Sequence, residues 1–217
     1  LPAYFKQQAR WAGGTISVFR KLLFTLLRRP FGLSPLQWWE YFLAGTYYFV
    51  GWAFFLLMIC PIAFLLFNIP SFFLDPAIYL TTYIPYFCLT MIIFFAAMKE
   101  RHYNFVQVYY GLILGSLCFP LLMKAAVLGL AGKRMTFVVT SKGKAETLPL
   151  AALWPYGVMM GLNVAAIAVG LARFPSAPYA IGVNVFWACY HMFILWNILR
   201  FNQLPVLGRE EKANWRV

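Results

Sequence analysis

The hydrophobic pattern changes character along this chain. Ile16, Phe19, Leu22, Leu23, Leu26 and Leu27 recur at helical spacing, with Arg20, Lys21, Thr25, Arg28 and Arg29 on the other side, until Pro30 ends the run. A basic amphipathic helix of this kind lies in a membrane interface rather than crossing it. A soluble-core helix is the competing reading, and the long apolar run that follows argues against it. Trp38 and Trp39 precede that run as interface aromatics do. Residues 41–67 then carry no charge and exceed the roughly 20 residues that span a bilayer. A short loop holding Asp75 leads to a second uncharged run, 77–98, with Pro85 as a kink and Thr81, Thr82, Tyr86 and Thr90 on one side. Lys99, Glu100 and Arg101 stop it.

Residues 103–132 are ambiguous by length alone, because 103–123 is apolar enough to span while Pro120 and Lys124 interrupt it. Charge decides between the readings. If this stretch lies in or dips into the interface, only Arg173 of the 18 lysines and arginines falls on the far side. If it spans, the basic residues divide evenly. Cytoplasmic sides collect Lys and Arg, so the sequence predicts an in-plane or re-entrant helix here. A hydrophilic loop follows over 132–147, with residues 137–140 β-branched and aromatic enough for a short extended piece. Two further spans, 149–172 and 178–199, are joined by a short turn at Arg173, and the tail with Arg209, Lys212 and Arg216 returns to the inside. The prediction is an all-α membrane protein: four transmembrane helices, cytoplasmic amphipathic interface helices and both termini cytoplasmic. The divisions are 1–40, 41–98, 99–148, 149–201 and 202–217.

Composition agrees with that reading. Of 217 residues 63% are hydrophobic and 11% charged, where soluble domains carry roughly 25% charged, and the mean hydropathy is +0.72. The formal charge of +12 therefore reports orientation and anionic lipid before nucleic acid, since most aromatics lie inside the apolar runs. Cys60, Cys88, Cys118 and Cys189 are scattered through apolar stretches without a C-x-x-C, and read as small buried hydrophobes. His102 and His191 lack neighbouring ligands for a metal. No charged leader precedes a short apolar core, and the opening residues read as the interior of a longer protein.

The candidate chemistry sits at that opening. Gln7, Arg10 and Trp11 fall at i, i+3 and i+4, which on a helix gathers an amide, a guanidinium fork and an indole plane on one face, with Gln8 beside them. An arginine fork suits paired phosphate oxygens, and an indole suits the flat apolar face of a ring-shaped substrate. In the spans, Asn184, Trp187 and His191 share helical spacing, Asn163 lies on the preceding span, and Tyr86 and Thr90 share a face of the second. Polar groups inside a membrane face a cavity or another helix. A hydrated channel of aromatics and hydroxyls and plain interhelical bonding are both compatible with these residues.

Gln7-Gln8-Ala9-Arg10-Trp11 resembles the Q-(Q/R)-x-R-W motif of processive family 2 glycosyltransferases, the cellulose, chitin, hyaluronan and related β-glycan synthases. Phe137-Val138-Val139-Thr140-Ser141-Lys142-Gly143 is similar to the F-x-V-T-x-K-G gating loop of the cellulose synthase branch, and the order of motif, interface helix, spans and loop matches too. The resemblance covers essentially the whole chain and is to the C-terminal membrane half of such a synthase. Gly13 departs from it, standing where the family often has a basic residue.

The resemblance implies a UDP-sugar donor, a growing polysaccharide acceptor and export of the polymer across the cell's inner membrane. Arg10 and one or both of Gln7 and Gln8 would contact the donor pyrophosphate, and Trp11 would floor the acceptor's terminal sugar. Phe137 and Val139 would seat the gating loop, Thr140 would bond the phosphate region, Lys142 would add positive charge and Gly143 would permit the turn. A lid of this kind excludes water that would otherwise hydrolyse the donor. The catalytic base, and the D-x-D ligands of a Mg or Mn ion, are expected upstream in a glycosyltransferase domain, with no metal held by these residues. Secretion or assembly subunits are further expected partners, and no regulatory cyclic-dinucleotide domain is read after the last span. The competing readings are a non-processive transferase acting on a lipid acceptor and a non-enzymatic membrane subunit or transporter. The absence of a visible repeat and of a buried charge pair argues against a transporter.

Overall fold

The computed structural model describes residues 1–70, 75–133 and 147–203. Among these residues every regular element is helical: α1 (Pro2–Arg28), α2 (Pro35–Thr46), α3 (Val50–Phe67), α4 (Pro76–Glu100), α5 (Phe105–Leu117), α6 (Phe119–Leu130), α7 (Trp154–Ala172) and α8 (Pro178–Gln203). Four helical segments are long and apolar enough to cross a membrane: Pro35–Phe67, Ala77–Glu100, Leu150–Ala172 and Pro178–Gln203. The chain is an all-α, multi-pass membrane protein. The extended piece, the gating-loop residues Phe137, Val139, Thr140 and Lys142, and the tail beyond 203 lie outside the described residues.

Local chemistry sets the helix starts. Ser34 and Gln37 form a reciprocal capping box at α2, the Ser34 N–H donating to Gln37 Oε1 at 2.9 Å and the Gln37 N–H to Ser34 Oγ at 3.3 Å. Asn104 and Gln107 do the same at α5, at 3.1 and 2.8 Å. The Asp75 carboxylate accepts from the Ala77 and Ile78 N–H groups at 2.8 and 3.4 Å and opens α4.

The helices group into two compact units. The first holds α1, α2, most of α6 and residues 147–154 with the end of α8. Here Phe5, Ala12, Ile16 and Phe19 form the buried stripe of α1. The Phe19 ring meets Phe42 and Phe49 edge-on, at 5.8 and 5.9 Å between centroids. Gly45 of α2 lies against it so closely that a Cβ at Gly45 would run into the ring. Likewise a Cβ at Gly129 would stand 2.7 Å from Ile16 Cγ2, so α6 also meets α1 through a bare backbone. Asn202 closes this unit from the other end, accepting from the Leu148 N–H at 2.7 Å and donating to the Leu148 carbonyl at 3.0 Å.

The second unit holds nearly all of α3, with α4, α5 and the bulk of α7 and α8. The buried face of α7 is Tyr156, Met159, Asn163, Ala166 and Gly170, a helical stripe. Gly170 meets the Leu65 side chain of α3 where a Cβ would collide. Arg173 Nη2 donates to the Leu65 carbonyl and, at 3.4 Å, to the Phe64 carbonyl, which also accepts from the Asn68 N–H, so it ties down the last turn of α3. At the other end of α7 the Tyr156 hydroxyl donates to the Leu117 carbonyl at 2.6 Å.

Two sequence expectations are refined. The apolar helix runs from Pro35 rather than from residue 41, so Trp38 and Trp39 lie within it, and a 3₁₀ turn at Tyr47–Phe49 separates α2 from α3. α2 groups with α1 because Gly45 and Phe42 pack on Phe19; the 18 residues of α3 alone reach about 27 Å, close to a bilayer core. The ambiguous stretch 103–132 is two helices, not one, bent by 47° at the break between them. Pro120 explains the break, since it offers no N–H to the Ser116 carbonyl.

Candidate functional site

Arg10 and Trp11 open a groove of about 470 Å³ that runs down one face of α1. Trp11, Thr15, Val18 and Leu22 follow one another along that face, and Tyr41, Ala44, Gly45 and Tyr48 of α2 and the turn after it make the opposite wall. Two glycines shape the floor. Gly14 has nothing within 4 Å of a notional Cβ, so any side chain there would project into the open space, and Gly45 is held bare by Phe19. Trp11 is 48% exposed, and among the described residues no ring packs on it. Arg10 is half-buried beside it, so the groove is lined by a cation and an aromatic ring together. Gln7 and Gln8 are half-buried one turn earlier and do not line the groove.

The second feature is a cavity of about 380 Å³ within the membrane unit. It gathers Asn184, Trp187 and His191 of α8, three residues that helical spacing alone had grouped. Trp187 is its centre: Nε1 donates to Tyr79 Oη at 2.8 Å, and Phe87 and Tyr190 meet the indole edge-on at 5.8 and 5.5 Å. Tyr79 and Tyr83 stack at 4.9 Å along α4. His191 is 7% exposed, and its buried Nδ1 has no hydrogen-bond partner among the described residues.

The remaining intramembrane candidates do not join this cavity. Tyr86 is 65% exposed and lies on the outer side of α4, and the neighbouring Thr90 hydroxyl donates back to the Tyr86 carbonyl at 2.8 Å. Thr81 and Thr82 also bond carbonyls of their own helix. This back-bonding satisfies a hydroxyl without a cavity, which is how a polar stripe can face lipid. Asn163 is fully buried on the packed face of α7, with Nδ2 donating to the Met159 carbonyl at 2.8 Å and Oδ1 without a partner among the described residues.

Several wall residues escape a motif reading. Tyr79, Tyr83 and Phe87 are spaced i, i+4, i+8 on α4, a ladder visible in the sequence but indistinguishable there from ordinary apolar content. Tyr41 and Tyr48 become groove residues only because α2 folds back on α1. No cluster of three or more His, Cys, Asp or Glu suited to a metal occurs among the described residues. Comparison of the chain with protein-family models, curated proteins and solved structures finds no match.

Proposed function

We propose that this chain is the membrane-embedded part of a processive glycosyltransferase, which extends a β-linked polysaccharide from a UDP-sugar on the cytoplasmic side and passes the polymer through the membrane. The observation that carries the proposal is the pairing of Arg10 and Trp11 at the mouth of one groove. Leaving-group chemistry needs a cation where diphosphate charge accumulates, and acceptor attack needs the terminal sugar held flat. Arg10 supplies the first and Trp11 the second. Gln7 and Gln8, a turn away, reach the donor from outside the groove in this reading. The aromatic cavity around Trp187 serves polymer passage: ring edges and faces accept pyranose rings, while Asn184 and His191 bond hydroxyls.

The orientation rests on the basic residues. With the α5–α6 pair dipping back instead of crossing, Arg173 is the one Lys or Arg on the outer side, and α1 and the 132–147 loop share the cytoplasmic side. The proton-accepting base and the divalent ion belong, in this reading, to a nucleotide-sugar domain carried with the chain. The test is UDP release by the native protein in membranes supplied with UDP-glucose or UDP-N-acetylglucosamine. Release that Arg10→Ala lowers by about a hundredfold or more supports the assignment. Release unaffected by that substitution removes Arg10 from the donor site.

A further inference from the structure

A second groove lies on α1, on the other side of Phe19 and Leu22, and the proposed function does not use it. It encloses about 430 Å³, and its walls are Leu22, Leu23 and Leu26 of α1 with Pro35, Trp38 and Trp39 across from them. The wall is fixed where the two helices turn: Trp38 Nε1 donates to the Pro30 carbonyl at 2.9 Å, and the Ser34–Gln37 capping box holds the first turn of α2. The surface around it is apolar and bare. Phe31, at the turn, is 97% exposed and Leu27 80% exposed.

One end of this groove is strongly basic. Arg29 caps the C-terminus of α1 and directly precedes the Pro30 carbonyl that holds Trp38 of the groove wall. Arg28 adjoins it, and both side chains are exposed. Glu40 is the one acidic residue in the first 70 positions, so nothing acidic stands near these arginines in sequence. Arg20, by contrast, is engaged elsewhere: its guanidinium lies over the Phe24 ring at 5.2 Å and fills the space beside Gly132.

We infer that this groove holds one anionic phospholipid, with an acyl chain along Leu22, Leu26 and Trp39 and the phosphodiester at Arg28 and Arg29. A zwitterionic lipid would gain the apolar contacts alone. Two surface arginines favour an anionic headgroup by about fivefold each. The exposed Phe31 at the turn suits the boundary between headgroups and acyl chains.

The experiment reconstitutes the chain in phosphatidylcholine nanodiscs containing a minor fraction of brominated-acyl lipid, either phosphatidylglycerol or phosphatidylcholine. The readout is the quenching of the tryptophan emission that Trp39→Phe removes. The expected result is severalfold stronger quenching by brominated phosphatidylglycerol than by brominated phosphatidylcholine at the same fraction. That excess falls to parity in Arg28→Gln/Arg29→Gln and survives in Lys21→Gln, which removes an exposed charge elsewhere on the helix. Equal quenching by the two lipids in the unaltered chain overturns the site. So does an excess that Arg28→Gln/Arg29→Gln leaves intact, or one that Lys21→Gln abolishes equally, which would be diffuse surface charge. Glycosyl transfer enters none of these readouts, so the lipid site stands or falls separately from the proposed enzyme.

Discussion

Trp11 and Trp187 occupy opposite kinds of aromatic site. Trp11 stands at the mouth of the α1–α2 groove beside a cation, about half exposed, with no ring against it among the described residues. Trp187 is half-buried in an uncharged cavity, its N–H bonded to Tyr79 and its ring braced edge-on by Phe87 and Tyr190. An indole with an open face and a neighbouring charge is free to recognise a ligand, whereas one held by its neighbours also carries structure. Substitution at the two positions therefore has different signatures. At Trp11, function is lost with the fold intact; in the cavity, stability and function change together.

The largest effect expected from this contrast is at Arg10. Arg10→Ala lowers UDP release by about 10²–10³-fold, the range for removing one electrostatic stabiliser of a transition state. Trp11→Phe is milder in the same assay because a smaller aromatic plane remains. Trp187→Ala costs on the order of 2–3 kcal/mol of stability, below the range for a fully buried tryptophan, read from the unfolding midpoint in detergent. It also shortens the product or lowers its output; unchanged polymer length and yield would take Trp187 out of the conduit. Gly45→Val forces a side chain into Phe19 and destabilises the α1–α2 pair by about 1–3 kcal/mol. A wild-type midpoint in that variant would mean the two helices can separate freely. The smallest change is Tyr79→Phe, which leaves the Trp187 N–H without its acceptor and costs about 1 kcal/mol.

The two regions also differ in how far the sequence discloses them. Span number and approximate ends follow from uncharged length, because a bilayer demands roughly 20 apolar residues whatever their neighbours. The stretch Ile16–Leu27 reads as one amphipathic face, yet it divides in the fold: Ile16 and Phe19 are buried, while Leu26 and Leu27 are exposed. Periodicity reports a face, not what covers it. Arg10 and Trp11 are legible with Gln7 from i, i+3, i+4 spacing, but the groove beside them needs Gly45, whose part is visible only when Phe19 lies on it. On α8, helical spacing groups Asn184, Trp187 and His191, and the fold brings all three to one cavity. The same rule applied to Tyr86 and Thr90 gathers residues on an exposed face, since hydroxyls can satisfy themselves on their own helix.

Product size tests the central claim most directly. Native membranes containing the protein are incubated with labelled UDP-glucose or UDP-N-acetylglucosamine, and the product is sized by gel filtration after lipid extraction. The account predicts a high-molecular-weight polymer that stays out of the lipid fraction, is lost in Arg10→Ala and is shortened in Trp187→Ala. Label confined to single sugars on an extractable lipid would contradict processive synthesis and assign the groove to a lipid-acceptor transferase instead.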